Sequence, residues 1–280
     1  MAIHICREQL EQALKHVKTF TTAADTLKMA AHLDTAIHHP FGQKFFVDKW
    51  PNFDIIVATA GSDTTISHKP SFTFATRTES EERLLAILKE VVHPPEMKQL
   101  YCEGVPVKHV SVLEKLAKMW SVKYEVLDEC LVLITDHNLL KAQKLHEGYI
   151  ADSATLDDAE LITSQWEYTL GDSTLLMTKY DIENRPSVAI RDKEGNLVAW
   201  EVVHYYVSPG MLQVLPEHRG KGLGKYIVYA LANRLLDQGH VTYIHISKSN
   251  PRSIHLHQKC GFQILERTDA HWGLFTFANK

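Results

Sequence analysis

Between Tyr226 and Gln238 apolar residues recur at Ile227, Ala230, Leu231 and Leu235, which is helical spacing, and Gly239 stands where a helix C-cap belongs. The period shortens on either side. Met211 to Leu215 reads as a strand before this helix, and the β-branched and aromatic run His240 to Ser247 as a strand after it. Upstream, Ser187 to Arg191 and Leu197 to His204 form a β-hairpin around the turn Asp192 to Asn196. Two helices precede it, around Thr155 to Leu170 and Asp172 to Asn184. Downstream, Lys248 to Pro251 makes a turn and helix start, Arg252 to Cys260 a helix ending at Gly261-Phe262, and Trp272 to Phe277 a last strand. The second half is therefore one mixed α/β domain.

The first half repeats that order. Arg7 to Thr19 and Thr26 to His38 are helical patterns, followed by strands at Lys44 to Trp50, Phe53 to Thr59 and Ser71 to Thr76. A helix over Ser80 to Val92 starts with a partial capping box and is closed by Pro94-Pro95. After it come a strand at Gln99 to Glu103, a helix at Val110 to Met119, and strands near Tyr124 and at Leu131 to Thr135. The repetition implies a degenerate internal duplication, with halves at 1–145 and 146–280.

Composition narrows the partners. The chain has 280 residues and a net charge of -4, which argues against nucleic acid as the main partner. Cys6, Cys102, Cys130 and Cys260 are widely spaced, so neither a disulfide framework nor a zinc site is implied. No apolar run is long enough for a bilayer and no signal-peptide pattern opens the chain. A monomer that is not secreted is expected, in the cytoplasm or, as the family resemblance described below implies, in the mitochondrion. The histidines do not read as a metal site: His38-His39-Pro40 is a turn, and His255 and His257 point to different sides of a helix.

The chemistry concentrates at Leu215-Pro-Glu-His-Arg-Gly-Lys-Gly-Leu-Gly-Lys225. Gly220, Gly222 and Gly224 let the backbone turn tightly and approach a ligand, the following helix offers unpaired N–H groups and a positive end, and Arg219, Lys221 and Lys225 add cations. It is an anion grip. The P-loop does not fit, because Gly224-Lys225 is followed by Tyr226 and not by a hydroxyl residue, and the Rossmann spacing also fails. Arg219-x-x-Gly222-x-Gly224 resembles the coenzyme A pyrophosphate loop of the GNAT acyltransferases, and Asn250 before an amphipathic helix ending at Gly261-Phe262 resembles the segment that flanks the pantetheine arm there. The resemblance implies a GNAT fold in the C-terminal half, a degenerate GNAT-like N-terminal half, and coenzyme A contacts from Leu215, Arg219 to Lys225 including Leu223, Asn250, Ser253 and His257. The equivalent stretch of the first half, Thr76 to Arg83, has no glycine and cannot bind by the same device.

A second signal lies outside that domain. Pro40-Phe-Gly-Gln-Lys-Phe-Phe-Val-Asp-Lys-Trp-Pro-Asn-Phe53, with Leu215-Pro-Glu-His-Arg219 and Gly195-Asn-Leu-Val-Ala-Trp200, resembles the signatures of the glycine N-acyltransferase family over nearly the whole chain. That resemblance implies transfer of an acyl group from acyl-CoA, a co-substrate and not a resident cofactor, to the amine of glycine or a similar small amino acid. Such a reaction needs a proton acceptor for the ammonium and an N–H donor for the thioester oxyanion, the latter near Leu212 to Val214.

The base position departs from the family. Its glutamate, counted back from Leu215-Pro-Glu217, falls at Ser208, which cannot serve unaided. The role is left to a water ordered by Ser208, to Glu201 or to His204; strand alternation puts Glu201 and His204 on opposite faces. His257 stands seven residues after Asn250, where many GNAT enzymes place a tyrosine acid, and Glu217 reads as a loop organiser. The alternatives are an acyl-CoA-binding protein weakened in catalysis and a GNAT N-acetyltransferase acting on another amine.

Overall fold

The computed structural model describes residues 1–20, 23–60, 69–93, 98–168 and 172–277. The chain divides into two compact units, Met1–Leu131 with Glu266–Lys280, and Val132–Leu265.

The first unit contains β1 (Ile3–Ile5), α1 (Leu10–Val17), α2 (Ala24–His38), β2 (Lys44–Val47), β3 (Ile55–Ala60), β4 (Ser71–Thr76), α3 (Glu81–Val91), β5 (Gln99–Pro106), α4 (Val110–Trp120) and most of β6 (Lys123–Thr135). Its strands run β1-β2-β3-β4-β5, antiparallel except for the parallel pair β4 and β5. Alternation along β3 divides the core between the two faces: Ile55 and Val57 pack with Phe72, Leu84, Leu88 and Leu113, while Ile56 and Ala58 pack with Leu10, Met29, Leu33 and Phe45. Ser80 caps α3 by accepting the N–H of Arg83 at 3.3 Å. The expected stop at Pro94-Pro95 lies outside the described residues.

The second unit follows the same order: β7 (Ile150–Asp152), α5 (Ala159–Ser164), α6 (Asp172–Asn184), β8 (Ser187–Arg191), β9 (Leu197–Val203), β10 (Pro209–Val214), α7 (Leu223–Asp237), β11 (Thr242–Ser247), α8 (Pro251–Lys259) and β12 (Gln263–Ile264). One sheet runs β10-β9-β8-β7, and β11 neighbours β6, whose end also pairs with β12. The helix expected over Thr155 to Leu170 is shorter than that, ending at Ser164 with residues 165–168 outside it. Trp200, Val202, Ala189, Ile162 and Met211 form the core under α5 and α6.

Two strands depart from the sequence pattern. The strands expected near Tyr124 and at Leu131 to Thr135 are one strand, β6, because a backbone ladder with the last strand carries it through Val126 to Glu129, where no apolar alternation marks it. The first compact unit runs to Leu131, inside β6. The last strand, β13 (Ala270–Thr276), pairs antiparallel with β5 and β6 in the first unit, although the sequence assigns it to 146–280. Its Phe275 is fully buried there against Phe72, Trp120 and Tyr124, and that burial selects the partner.

Because β13 lies between β5 and β6, removing residues 266–280 is expected to strip amide hydrogen-exchange protection from both strands. Unchanged protection in β5 and β6 would contradict the strand assignment.

Candidate active site

After β10 the chain makes a short helical turn at Pro216–His218 and enters α7 through Gly222. Gly220 and Gly222 adopt φ of +80° and +78°, the left-handed region that only glycine enters without strain, and a Cβ on either would point into open space. Tyr226 N–H makes the first helical bond, to Gly222 O at 3.1 Å, so the amides of Leu223, Gly224 and Lys225 precede the ladder at the positive end of a 15-residue helix. Arg219 Nε donates to Val214 O at 2.9 Å, and Lys221 Nζ donates to Tyr149 Oη at 2.7 Å. Tyr149 also meets His218 at 2.9 Å. Two cations are thus tethered at the loop's rim, with Lys225 half-buried on the first turn. Leu223 is buried, Leu215 packs on the core, and Glu217 is exposed.

The strand feeding this loop is bent. Gly210 faces Val202 and Gln213 faces Trp200, so Met211 and Leu212 together oppose Glu201. Met211 takes φ +57°, and the extra residue bends β10. In the first unit, the corresponding strands β4 and β5 pair at Ser71 with Tyr101 and Phe72 with Cys102. In the second, β10 and β11 belong to different sheets. The sheet is open where α7 begins.

Glu201, opposite the bulge, is 1% exposed and faces α8, where His257 Nε2 lies 3.9 Å from its Oε1. Burial pushes the Glu201 carboxyl above its ordinary range, opposed by His257 and then His204. His257 Nδ1 lies 2.8 Å from Ser253 O, so it donates there and directs Nε2 at Glu201. Asn250 accepts the N–H of Ser253 at 3.0 Å and caps α8, while Ser253 Oγ sits 3.4 Å from His257. The helix start that holds His257 is therefore fixed by Asn250 and Ser253. Cys260, at the end of α8, has its thiol pushed up to about 11 by burial and then by Glu201, so it is no nucleophile at neutral pH.

His204 lies on the other face. Its Nδ1 is 3.0 Å from Asp181 Oδ2 on α6, with both side chains buried, and its ring stacks on Tyr206 and leans on Trp166. Ser208 is buried; its carbonyl accepts the N–H of His204 at 2.9 Å and its Oγ meets Pro209 O at 3.4 Å, so it closes the β9–β10 turn. Sequence reasoning passed over Asp181, because a carboxylate within an amphipathic helix reads as a solvated face. Of the four candidates, Glu201 and His257 come together on one face of β9, and His204 takes an unforeseen partner on the other.

The first unit has none of this at its equivalent loop. Ser80 already satisfies the α3 terminus, Glu81 and Glu82 occupy its first turn, and Arg83 is held by Asp48 and Asp54 at 2.6 and 2.8 Å. Arg83 and then Lys49 hold the Asp54 carboxyl far below its usual range. An anion finds carboxylates there.

Residues 187–272, which run from β8 through α8 and β12 into the start of β13, match the family model described as FR47-like protein. The glycine N-acyltransferase of Bos taurus is 23% identical over 233 residues, covering 76% of this chain and 78% of that protein. Among solved structures, a Drosophila protein superposes with a TM-score of 0.83 at 17% identity, over 100% of this chain and 99% of that one. A tandem GNAT protein from the clavulanic acid biosynthesis pathway gives a TM-score of 0.56 at 12% identity, over 100% and 99%. The chain therefore carries the GNAT fold, intact in its C-terminal half and degenerate in its N-terminal half, and is related over most of its length to the glycine N-acyltransferases.

Proposed function

We propose that the protein is an acyl-CoA:amino acid N-acyltransferase, moving an acyl group from acyl-CoA to the amine of glycine or a similar small amino acid. The carrying observation is the open edge between β10 and β11, with a glycine loop and helix start at its mouth and the buried Glu201–His257 pair at its bulge. The pyrophosphate binds at Gly220 to Lys225, beside Arg219 and Lys221, and the pantetheine arm runs along the unpaired strand edges toward the bulge. There an amide of the Leu212 to Val214 stretch receives the thioester oxygen, the Val214 N–H giving up the Gln213 side-chain oxygen that it meets at 3.3 Å; one such donor is worth about 3 kcal/mol in the transition state. Holding amine and thioester together supplies a further ~7 kcal/mol or more. His257, backed by Glu201, protonates the departing thiolate.

Mixing the protein with benzoyl-CoA and a panel of free amino acids is expected to release coenzyme A thiol and give the N-acyl amino acid by mass. Ser208, standing where the family has a carboxylate, favours a second reading, an acyl-CoA-binding protein without turnover. Tight binding with no thiol release for any acceptor would leave that second reading alone, and release only with other amines would move the acceptor class.

Gly222→Asp, which sets a carboxylate against the pyrophosphate, is expected to weaken acyl-CoA binding on the order of 100-fold by calorimetry. Gly222→Ala shares the backbone strain without the charge and should lose far less; unchanged affinity in the Asp variant would refute the loop assignment. His257→Gln should lower kcat about 10- to 100-fold with KM for acyl-CoA little changed. Because burial raises the Glu201 carboxyl, its proton is held to higher pH than an ordinary carboxyl's and is lost as pH rises through that raised value, so kcat should fall on the basic side. Glu201→Gln should remove that basic limb, and a limb that persists in the variant would exclude Glu201 as its source.

A further inference from the structure

We propose that His204 takes the proton from the acceptor's ammonium group and that Asp181, acting through it, is the positioning residue that fixes the imidazole for this task. The inference rests on the acyltransferase reading and supplies the base which Ser208 cannot provide.

Three features build the arrangement. First, Asp181 is fully buried on α6 and accepts both from His204 Nδ1, at 3.0 Å, and from the backbone N–H of Tyr205. A hydrogen held on Nδ1 leaves the lone pair on Nε2. Second, that nitrogen lies across β10: a Cβ built on Gly210 would stand 2.3 Å from His204 Nε2, so only glycine lets the ring lie there. Gly210 is the last regularly paired residue before the bulge, so the ring sits beside the strand that borders the open edge. Third, the turn is built to hold the ring. Val207 takes φ +54°, its N–H donates to His204 O at 2.7 Å, and Ser208 O accepts from His204 N–H. Tyr206 stacks on one side of the imidazole and Trp166 leans on it. Glu201 and His257 occupy the opposite face of β9, so the acceptor and the thiol are served from separate faces.

The step balances. The ammonium gives one proton to His204 Nε2, and its freed electron pair bonds to the thioester carbon. The C–S bond breaks with its pair leaving on sulfur, the second nitrogen proton ends on that sulfur through His257, and the imidazolium of His204 returns its proton to solvent. Asp181 faces the His204 ring from α6 and Tyr206 faces it from the turn; Tyr180 and Arg185 bear on Asp181, and Glu201 feels His204 only across the strand. Burial pushes the Asp181 carboxyl up, opposed by His204 and Arg185.

The experiment is thiol release from benzoyl-CoA across a pH series, with acyl-CoA affinity measured in parallel. Asp181→Asn is expected to lower kcat about 100-fold, leave acyl-CoA binding within about threefold, and alter the acidic limb of kcat/KM for the amino acid. His204→Gly should lose that limb and regain part of its rate with added imidazole, which a latch joining α6 to the turn would not do. Gly210→Ala, which displaces the ring from the strand side, should reproduce the loss with Asp181 intact and decides the matter if Asp181→Asn does not fold. An active wild type with both the limb and kcat unchanged in Asp181→Asn, or in Gly210→Ala where that variant decides, would overturn the proposal. A wild type that releases no thiol with any acceptor would overturn the acyltransferase reading itself, and this inference with it.

Discussion

Two residues of β10 oppose one of β9, and the site depends on that mismatch. Met211 and Leu212 share Glu201 as their partner, the strand bends, and β10 and β11 are left in separate sheets. Backbone donors and acceptors that a closed sheet would consume become a wall for an extended ligand. The first unit provides an internal control, since the same order of elements there keeps β4 and β5 hydrogen-bonded and its helix start filled by Ser80. The second unit leaves a strand edge open at its helix start, and the first keeps the equivalent pair of strands bonded.

Opening the sheet lets ionisable groups into the interior, where each is costly unless partnered. Glu201 meets His257 and Asp181 meets His204, one carboxylate–imidazole pair on each face of β9. Replacing both pairs with apolar side chains would satisfy packing at less cost. Their retention beside the gap is the physical reason to read them as proton-handling groups. The nearby Cys260 thiol, pushed up to about 11, leaves direct attack by the amine as the simpler route.

Much of this was legible in the sequence. The glycines at 220, 222 and 224 announce the loop because positive φ and close backbone approach require them, and the hairpin from Ser187 and the α7 helix follow from periodicity. The bulge was not legible, because Gly-Met-Leu-Gln-Val reads as an ordinary strand and only pairing with β9 reveals the extra residue. Asp181 was hidden for a related reason, since its value depends on where α6 docks. The placement of β13 was invisible because Phe275 fits any apolar sheet face, and the choice between units is made by long-range packing. Asn250 was expected against coenzyme A; the bond its Oδ1 accepts from Ser253 caps α8 and fixes the helix start that carries His257, a role its place before the helix did not announce.

The central claim is that acyl-CoA occupies the gap between β10 and β11 with its pyrophosphate on the α7 terminus. Amide hydrogen exchange with and without benzoyl-CoA, in the absence of any acceptor, tests it most directly. Added protection at Leu212 to Val214 together with Leu223 to Lys225, and none at the first turn of α3, is the expected result. Protection confined to the first unit, or none at either segment despite binding, would contradict it.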